Sequence, residues 1–360
     1  MHRASGRSAR VGFCVGDIGA DFACRTVNER ADATDVSIRF ATGRTNVLHR
    51  IVVLAALLLL PLAGAAKEPK HGADRELEVI ESHHFNIPEI SGMCWRRDPH
   101  SKQRQLVIVG DKTHSLYVVN WDDRQNGKIE EFPLAELVPD FRKAGSQWES
   151  VVADESGRVF ILQENPARVF VTSPDLKSIE RVIRLEIPKK GFERVAWNKD
   201  LNSRGEGLIL LKNGNILVVK EKKPLKVLEF SADGASAEGY RPELAMEWAG
   251  VFPLPGEETS TYTARAFWAL SSRMVDSSGI NLDPRGRPYL LGDKESVIRR
   301  ISGAFTPEVR EIDLGVSWKL PAVAVKPEGM VIDEQMRPVI GLDQKKPSGM
   351  NLFVLSPLIH

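Results

Sequence analysis

The chain has 360 residues, 42% of them hydrophobic, with 49 basic and 48 acidic side chains. A formal charge of +1 excludes a global electrostatic draw toward nucleic acid or an anionic membrane surface. The apolar content suffices for one large domain, and no low-complexity tract or long single-sign charge run points to extensive disorder.

In chain order, the first 46 residues show no helical or strand period. Arg50 is then followed by an unbroken apolar run from Ile51 to Leu62, and by Ala63-Gly64-Ala65-Ala66. A basic residue, an apolar stretch too short to span a bilayer and a small-residue end form the order of a secretory signal peptide. Residues 47–66 are therefore read as the signal. Residues 1–46 read as a non-native or disordered extension ahead of a start at Val47, and residues 67–360 as the exported domain. No Cys stands directly after the run, so no lipid anchor is expected; removal of the signal leaves no transmembrane anchor, and the implied location is periplasmic or secreted. Cys14 and Cys24 lie in the extension, which leaves Cys94. Within Met93-Cys94-Trp95 it reads as a buried small hydrophobe.

A repeat dominates the rest. ESVVADESGRVFILQE (Glu149 to Glu164), EGLILLKNGNILVVKE (Glu206 to Glu221), SGINLDPRGRPYLLGD (Ser278 to Asp293) and EGMVIDEQMRPVIGLD (Glu328 to Asp343) align without gaps. A fifth copy, Ser91 to Asp111, carries a longer loop. Each reads as strand, turn and strand, with Gly, Pro, Asn and Asp supplying the turn. A third strand follows in four copies: Arg168-Val-Phe-Val-Thr, Pro224 to Phe230, Ser296 to Ile301, and Met350 to Leu355. The copies start 58, 57, 72 and 50 residues apart, a period of propeller blades. The expectation is an all-β, single β-propeller of five or six blades, its ring closed by pairing the two chain ends. A sixth blade has two candidate sources, the strand-like Ala266 to Leu270 and the segment Leu77–Ile87.

The hairpin gives the acids a geometric meaning. Two antiparallel strands joined by a tight turn bring their far ends together. The opening Glu149, Glu206 and Glu328 and the closing Asp111, Glu164, Glu221, Asp293 and Asp343 should therefore share one mouth of the central channel, with Ser91 and Ser278 as uncharged openers. Two roles fit these acids. They accept backbone N–H groups and lock the blades, or they surround a hard cation such as Ca²⁺. Lys112, Lys222 and Lys294 directly follow closing acids, and Lys345 lies near Asp343. Strand alternation argues against pairing within a dipeptide and leaves pairing between blades open.

The succession Ser91-Gly-Met, Trp148-Glu-Ser, Arg204-Gly-Glu-Gly-Leu, Ser277-Ser-Gly-Ile and Lys326-Pro-Glu-Gly-Met resembles the SdiA-regulated (YjiK-like) domain family. So do the closing pairs at Asp111, Glu164, Glu221, Asp293 and Asp343. The resemblance spans about Glu76 to Pro357. It implies an exported propeller of poorly defined biochemical role, with bound calcium. A kinship in pattern with esterase-like phytase domains implies metal-assisted ester hydrolysis, although no cluster of His or Arg beside the acids is available for phosphate.

Other constellations are sparse. His83 and His84 are strand neighbours that face opposite ways, and H-E-x-x-H, C-x-x-C, G-x-S-x-G and P-loop patterns are absent. Arg273 is a candidate fork for an anionic ligand, and Trp148, beside Glu149, is a candidate wall of the channel mouth. The expected function is a binding or scaffold propeller that takes calcium and an unidentified small-molecule or cell-envelope partner. The alternative is a metal-dependent phosphomonoesterase or esterase in which Glu149, Glu206 and Glu328 hold the ion. If translation begins at residue 47, mass spectrometry of the precursor recovers no peptide from residues 1–46; such peptides would refute the shorter start.

Overall fold

The computed structural model describes residues 75–138, 145–188, 192–246, 250–271 and 274–359. Residues 47–66, read above as a signal, the residues before them and Arg273 lie outside the described residues. No described helix is long and apolar enough to cross a membrane.

Short, apolar, β-branched runs bounded by turn residues form strands, and these assemble into five blades among the described residues. Blade 1 comprises Ile90–Arg97, Arg104–Gly110, Ser115–Asn120 and Glu130–Pro133. Blade 2 comprises Trp148–Ala153, Val159–Gln163, Arg168–Thr172 and Ile179–Glu186. Blade 3 comprises Gly207–Leu210, Ile216–Lys220, Lys226–Ser231 and Thr259–Leu270. Blade 4 comprises Gly279–Leu282, Pro288–Gly292, Val297–Ile301 and Leu314–Lys319. Blade 5 takes Pro327–Ile332, Pro338–Leu342 and Leu352–Leu355 from the C-terminal end, and Val79–His83 from the N-terminal end as its fourth strand. Each first strand touches the first strand of the next blade, and blade 5 touches blade 1, so the ring is closed.

The two candidate sources of a sixth blade are outer strands instead. Ala266 to Leu270 belongs to the fourth strand of blade 3, and Val79–His83 pairs antiparallel with Leu352–Leu355. The long gap before Ser278 is filled by the twelve-residue strand Thr259–Leu270. Its first half runs parallel beside Ile179–Glu186 of blade 2, and its second half runs antiparallel to Lys226–Ser231. Its end pairs with Glu311–Ile312, which precedes the last strand of blade 4. One strand therefore ties three blades at their rim.

The core lies between blades as successive apolar layers rather than at one centre. Trp148, Trp268 and Trp318 are fully buried within them, and Cys94 is buried and in no disulfide. Near the axis the first strands press together. A Cβ on Gly92 would lie 2.8 Å from the Ser150 Cα, and one on Gly207 would lie 2.7 Å from the Ile280 backbone nitrogen. Glycine after the openers Ser91 and Glu206 is thus required by close backbone approach.

The turn between the first two strands carries a second repeat. Asp154, Asp283 and Asp333 each have a side chain with no exposed area and each pairs with the Arg four residues on. In blade 4, Asp283 Oδ1 accepts the backbone N–H groups of Arg285 and Arg287 at 2.8 and 2.9 Å. Its Oδ2 accepts Arg287 Nε at 2.6 Å. The carboxylate replaces backbone partners that the tight turn denies to these amides. Asp283→Ala removes the charged partner of a half-buried guanidinium and the acceptor of two amides, so denaturant unfolding should show a loss of about 3–5 kcal/mol; a loss under about 1 kcal/mol would refute the clamp.

Candidate functional site

The position of each opening residue is set by an irregularity in the hairpin. In blade 2, Trp148 pairs with Gln163 and Ser150 with Leu162, so Glu149 has no partner across the ladder. Glu328 in blade 5 and Ser91 in blade 1 are skipped in the same way. In blade 3 both Glu206 and Gly207 face Val219, the Glu206 N–H donating to the Val219 carbonyl at 2.9 Å. Ser278 and Gly279 share Leu291 similarly. A β-bulge frees one side chain from the alternation of the strand and redirects it. Two residues before three of these bulges, Glu89, Gln147 and Lys326 hold positive φ of 48°, 52° and 52°. Their carbonyls accept the N–H groups of the closing residues Asp111, Glu164 and Asp343 at 2.9–3.0 Å. The left-handed residue, the bulge and the closing acid form one unit, repeated in these three blades.

The two serine openers and the three glutamate openers use the bulge differently. Ser91 Oγ donates to the Trp148 carbonyl, and Ser278 Oγ donates to the Pro327 carbonyl at 2.8 Å. Each serine thus stitches its blade to the residue just before the next opener. Glu149, Glu206 and Glu328 instead border a polar cavity of about 260 Å³. All eight acids named from the sequence line that cavity, together with Asp276, Lys112, Lys222, Gln147, Asn202, Ser277 and Ser278. The coincidence of hairpin ends thus brings the acids to one mouth.

Their surroundings differ. Glu164, 4% exposed, accepts the Arg204 backbone N–H at 3.0 Å and so locks blade 2 to blade 3. Asp111 pairs with Lys112 and Glu221 with Lys222, each within a dipeptide. This corrects the expectation from strand alternation. Asp111 and Glu221 lie just past the strand ends at Gly110 and Lys220, where the alternation no longer applies. Lys294 Nζ pairs with Asp276 at 2.7 Å, and Asp343 is paired by Lys326 at 2.9 Å rather than by Lys345. The side chains of Glu149, Glu206 and Glu328 make no hydrogen bond or ion pair with any described residue.

The charge has consequences for protonation. Burial, followed by the fields of Glu164 and Glu328, pushes Glu149 well above the usual carboxylate range. Burial and then Glu149, Glu164 and Glu221 do the same to Glu206. Burial and Asp343 raise Glu328 to about 8, Lys326 opposing, and burial raises Glu164 to about 7 against the Arg204 N–H. Asp293 is raised by burial and Asp276. Like charges in a partly desolvated site cannot all ionise without compensation.

Two sequence candidates take other places. Trp148 does not wall the mouth; it is 0% exposed and packs in the layer between blades 1 and 2, against His114 and Phe170. Arg273 lies outside the described residues. His83 and His84 do diverge: the His83 ring bonds Glu81 and stacks on Phe85, and His84 Nδ1 donates to the Gly349 carbonyl. Asp276 was missed, although the signal was present. Two residues before the five openers stand Glu89, Gln147, Arg204, Asp276 and Lys326, all polar.

Among the described residues, no three His, Cys, Asp or Glu side chains lie close enough together to hold one metal ion directly. A carboxyl whose folded pKa exceeds its unfolded value binds protons better when folded, so it favours folding at low pH and loses that advantage as pH rises. With Glu164 at about 7 and Glu328 at about 8 against an ordinary 4.5, stability measured by denaturant in ligand-free buffer should fall as pH rises from the ordinary carboxylate range through these values. Each tenfold gain in proton affinity on folding contributes at most about 1.4 kcal/mol to that fall. Glu328→Gln should flatten it; stability rising with pH over the same window would refute the crowding.

No family model matches the sequence, and no curated protein matches it. Among solved structures, the chain is similar to the glutaminyl cyclase of Myxococcus xanthus, with 12% identity and a TM-score of 0.46 over 79% of this chain and 98% of that one. It is also similar to the PQQ-bound aldose sugar dehydrogenase of Streptomyces coelicolor, with 10% identity and a TM-score of 0.43 over 80% and 99%. A gluconolactonase of Xanthomonas campestris follows, with 12% identity and a TM-score of 0.41 over 80% and 98%.

Proposed function

We propose that this chain is an exported binding propeller whose acidic cavity holds a positively charged ligand. The carrying observation is that Glu149, Glu206 and Glu328, from three blades, share one cavity without a direct counter-charge, while the closing acids Asp111, Glu221 and Asp343 are each paired with a lysine. A ligand that brings positive charge relieves the mutual repulsion and releases protons from the raised carboxyls. The acids are spread round a ring rather than gathered at a point. That favours an organic cation with several ammonium centres, or a hard cation such as Ca²⁺ that keeps its water. The sequence resemblance to an exported propeller family, which carries the expectation of bound calcium, points the same way.

The hydrolase reading has one observation in its favour. Carboxyls titrating near 7 and 8 can serve as general acids at neutral pH. Against it, the described lining offers Lys112 and Lys222 but no arginine fork, so a phosphate dianion would meet net repulsion.

The test is thermal unfolding with EDTA, then with added Ca²⁺, and separately with 1,4-diaminobutane. A saturable rise in Tm that Glu206→Gln and Glu328→Gln weaken is expected. At a hundredfold excess over Kd the stabilisation is about 2.7 kcal/mol. No shift with either cation would overturn the binding reading, and turnover of a phosphate or carboxylate ester by the cation-loaded protein would favour the hydrolase.

A further inference from the structure

A second cavity, of about 70 Å³, lies at the opposite ends of the first strands, away from the acidic mouth. Cys94, Val152, Leu208, Ile209 and Leu282 supply apolar walls, and Asn281 also lines it. Asn281 lies three residues after its opener. The equivalent residues of the other blades are Cys94, Val152, Ile209 and Val331, all apolar. A valine or isoleucine at that position would suit both the strand and the layer. Instead blade 4 carries an amide that is 8% exposed, with Oδ1 buried and without a partner. Its side chain makes no hydrogen bond with any described residue. An unpaired buried amide is destabilising.

The charged side chains around the cavity are committed elsewhere. Asp154 is clamped to Arg158, and Arg96 Nε donates to the Gly157 carbonyl at 2.9 Å. Arg97 pairs with Glu334, and Glu155 accepts the Gly250 N–H at 2.8 Å. What remains is an apolar enclosure with one amide able both to donate and to accept.

We propose that this cavity is a binding site for a small neutral molecule with a hydroxyl or primary amide on a short aliphatic body, held by the Asn281 side chain. The volume is about half of the roughly 150 Å³ that takes benzene in an apolar cavity, so the buried part of the ligand is about three to five non-hydrogen atoms. The absence of an uncommitted charge makes the site select against ions of the same shape.

The test is saturation-transfer NMR on the purified chain with isobutyramide and isobutanol, against isobutyrate and isobutylammonium as isosteric ions. Saturable binding of the neutral pair and none of the ions is expected. Asn281→Leu should weaken binding about tenfold, the loss of a hydrogen bond, with Tm unchanged or raised, so that the loss is not unfolding. No saturable binding of either neutral probe, equal binding by Asn281→Leu, or equal binding of the ions would each overturn the proposal. An amide that merely holds water gives the first of these results.

Discussion

Five first strands crowd one axis, and that crowding governs the rest of the molecule. A Cβ at Gly207 would sit within contact-forbidden distance of the Ile280 backbone, so the residue after the opener Glu206 must be glycine. The strands can approach so closely only if the side chain just before it is turned out of the ladder. The bulge does this, and it thereby fixes where Glu149, Glu206 and Glu328 go. Packing at the axis and chemistry at the mouth are two results of the same backbone irregularity.

The two ends of each hairpin divide their duties by burial and partnership. At the turn end, Asp154, Asp283 and Asp333 are sealed from solvent but saturated with backbone amides and an arginine. At the mouth, acids of the same formal charge have lysines at Asp111, Glu221 and Asp343 and no direct partner in the inner three positions. Identical chemistry is thus saturated with partners at one end and left without a direct counter-charge in the inner positions of the other. The serine openers belong to neither group, since Ser91 and Ser278 turn back to bond the neighbouring blade.

The repeat made the hairpins and the gathering of eight acids legible, because hairpin ends must coincide. The fourth strands were not legible. Glu130–Pro133 is short and largely exposed, and Thr259–Leu270 mixes exposed and buried positions and serves three blades. Neither repeats at a fixed distance. The lysine partners were misread because strand alternation was carried past Gly110 and Lys220, where the strands stop. Asp276 sits in register with Gln147 and Lys326 and needed only a longer repeat frame. Asn281 stood inside the aligned repeat, but its lack of a partner is a property of packing that no alignment of residue types reveals.

The way the ring closes has a temporal side. Val79–His83 is synthesised well before Leu352–Leu355, yet finds its place only beside that strand. Its pairing edge must wait for nearly the whole described chain, and such long-range pairing raises contact order and slows folding. A nascent chain therefore cannot complete its ring early. Were the chain threaded unfolded through a membrane, as export would require, the topology itself would delay the native state until the last blade had emerged.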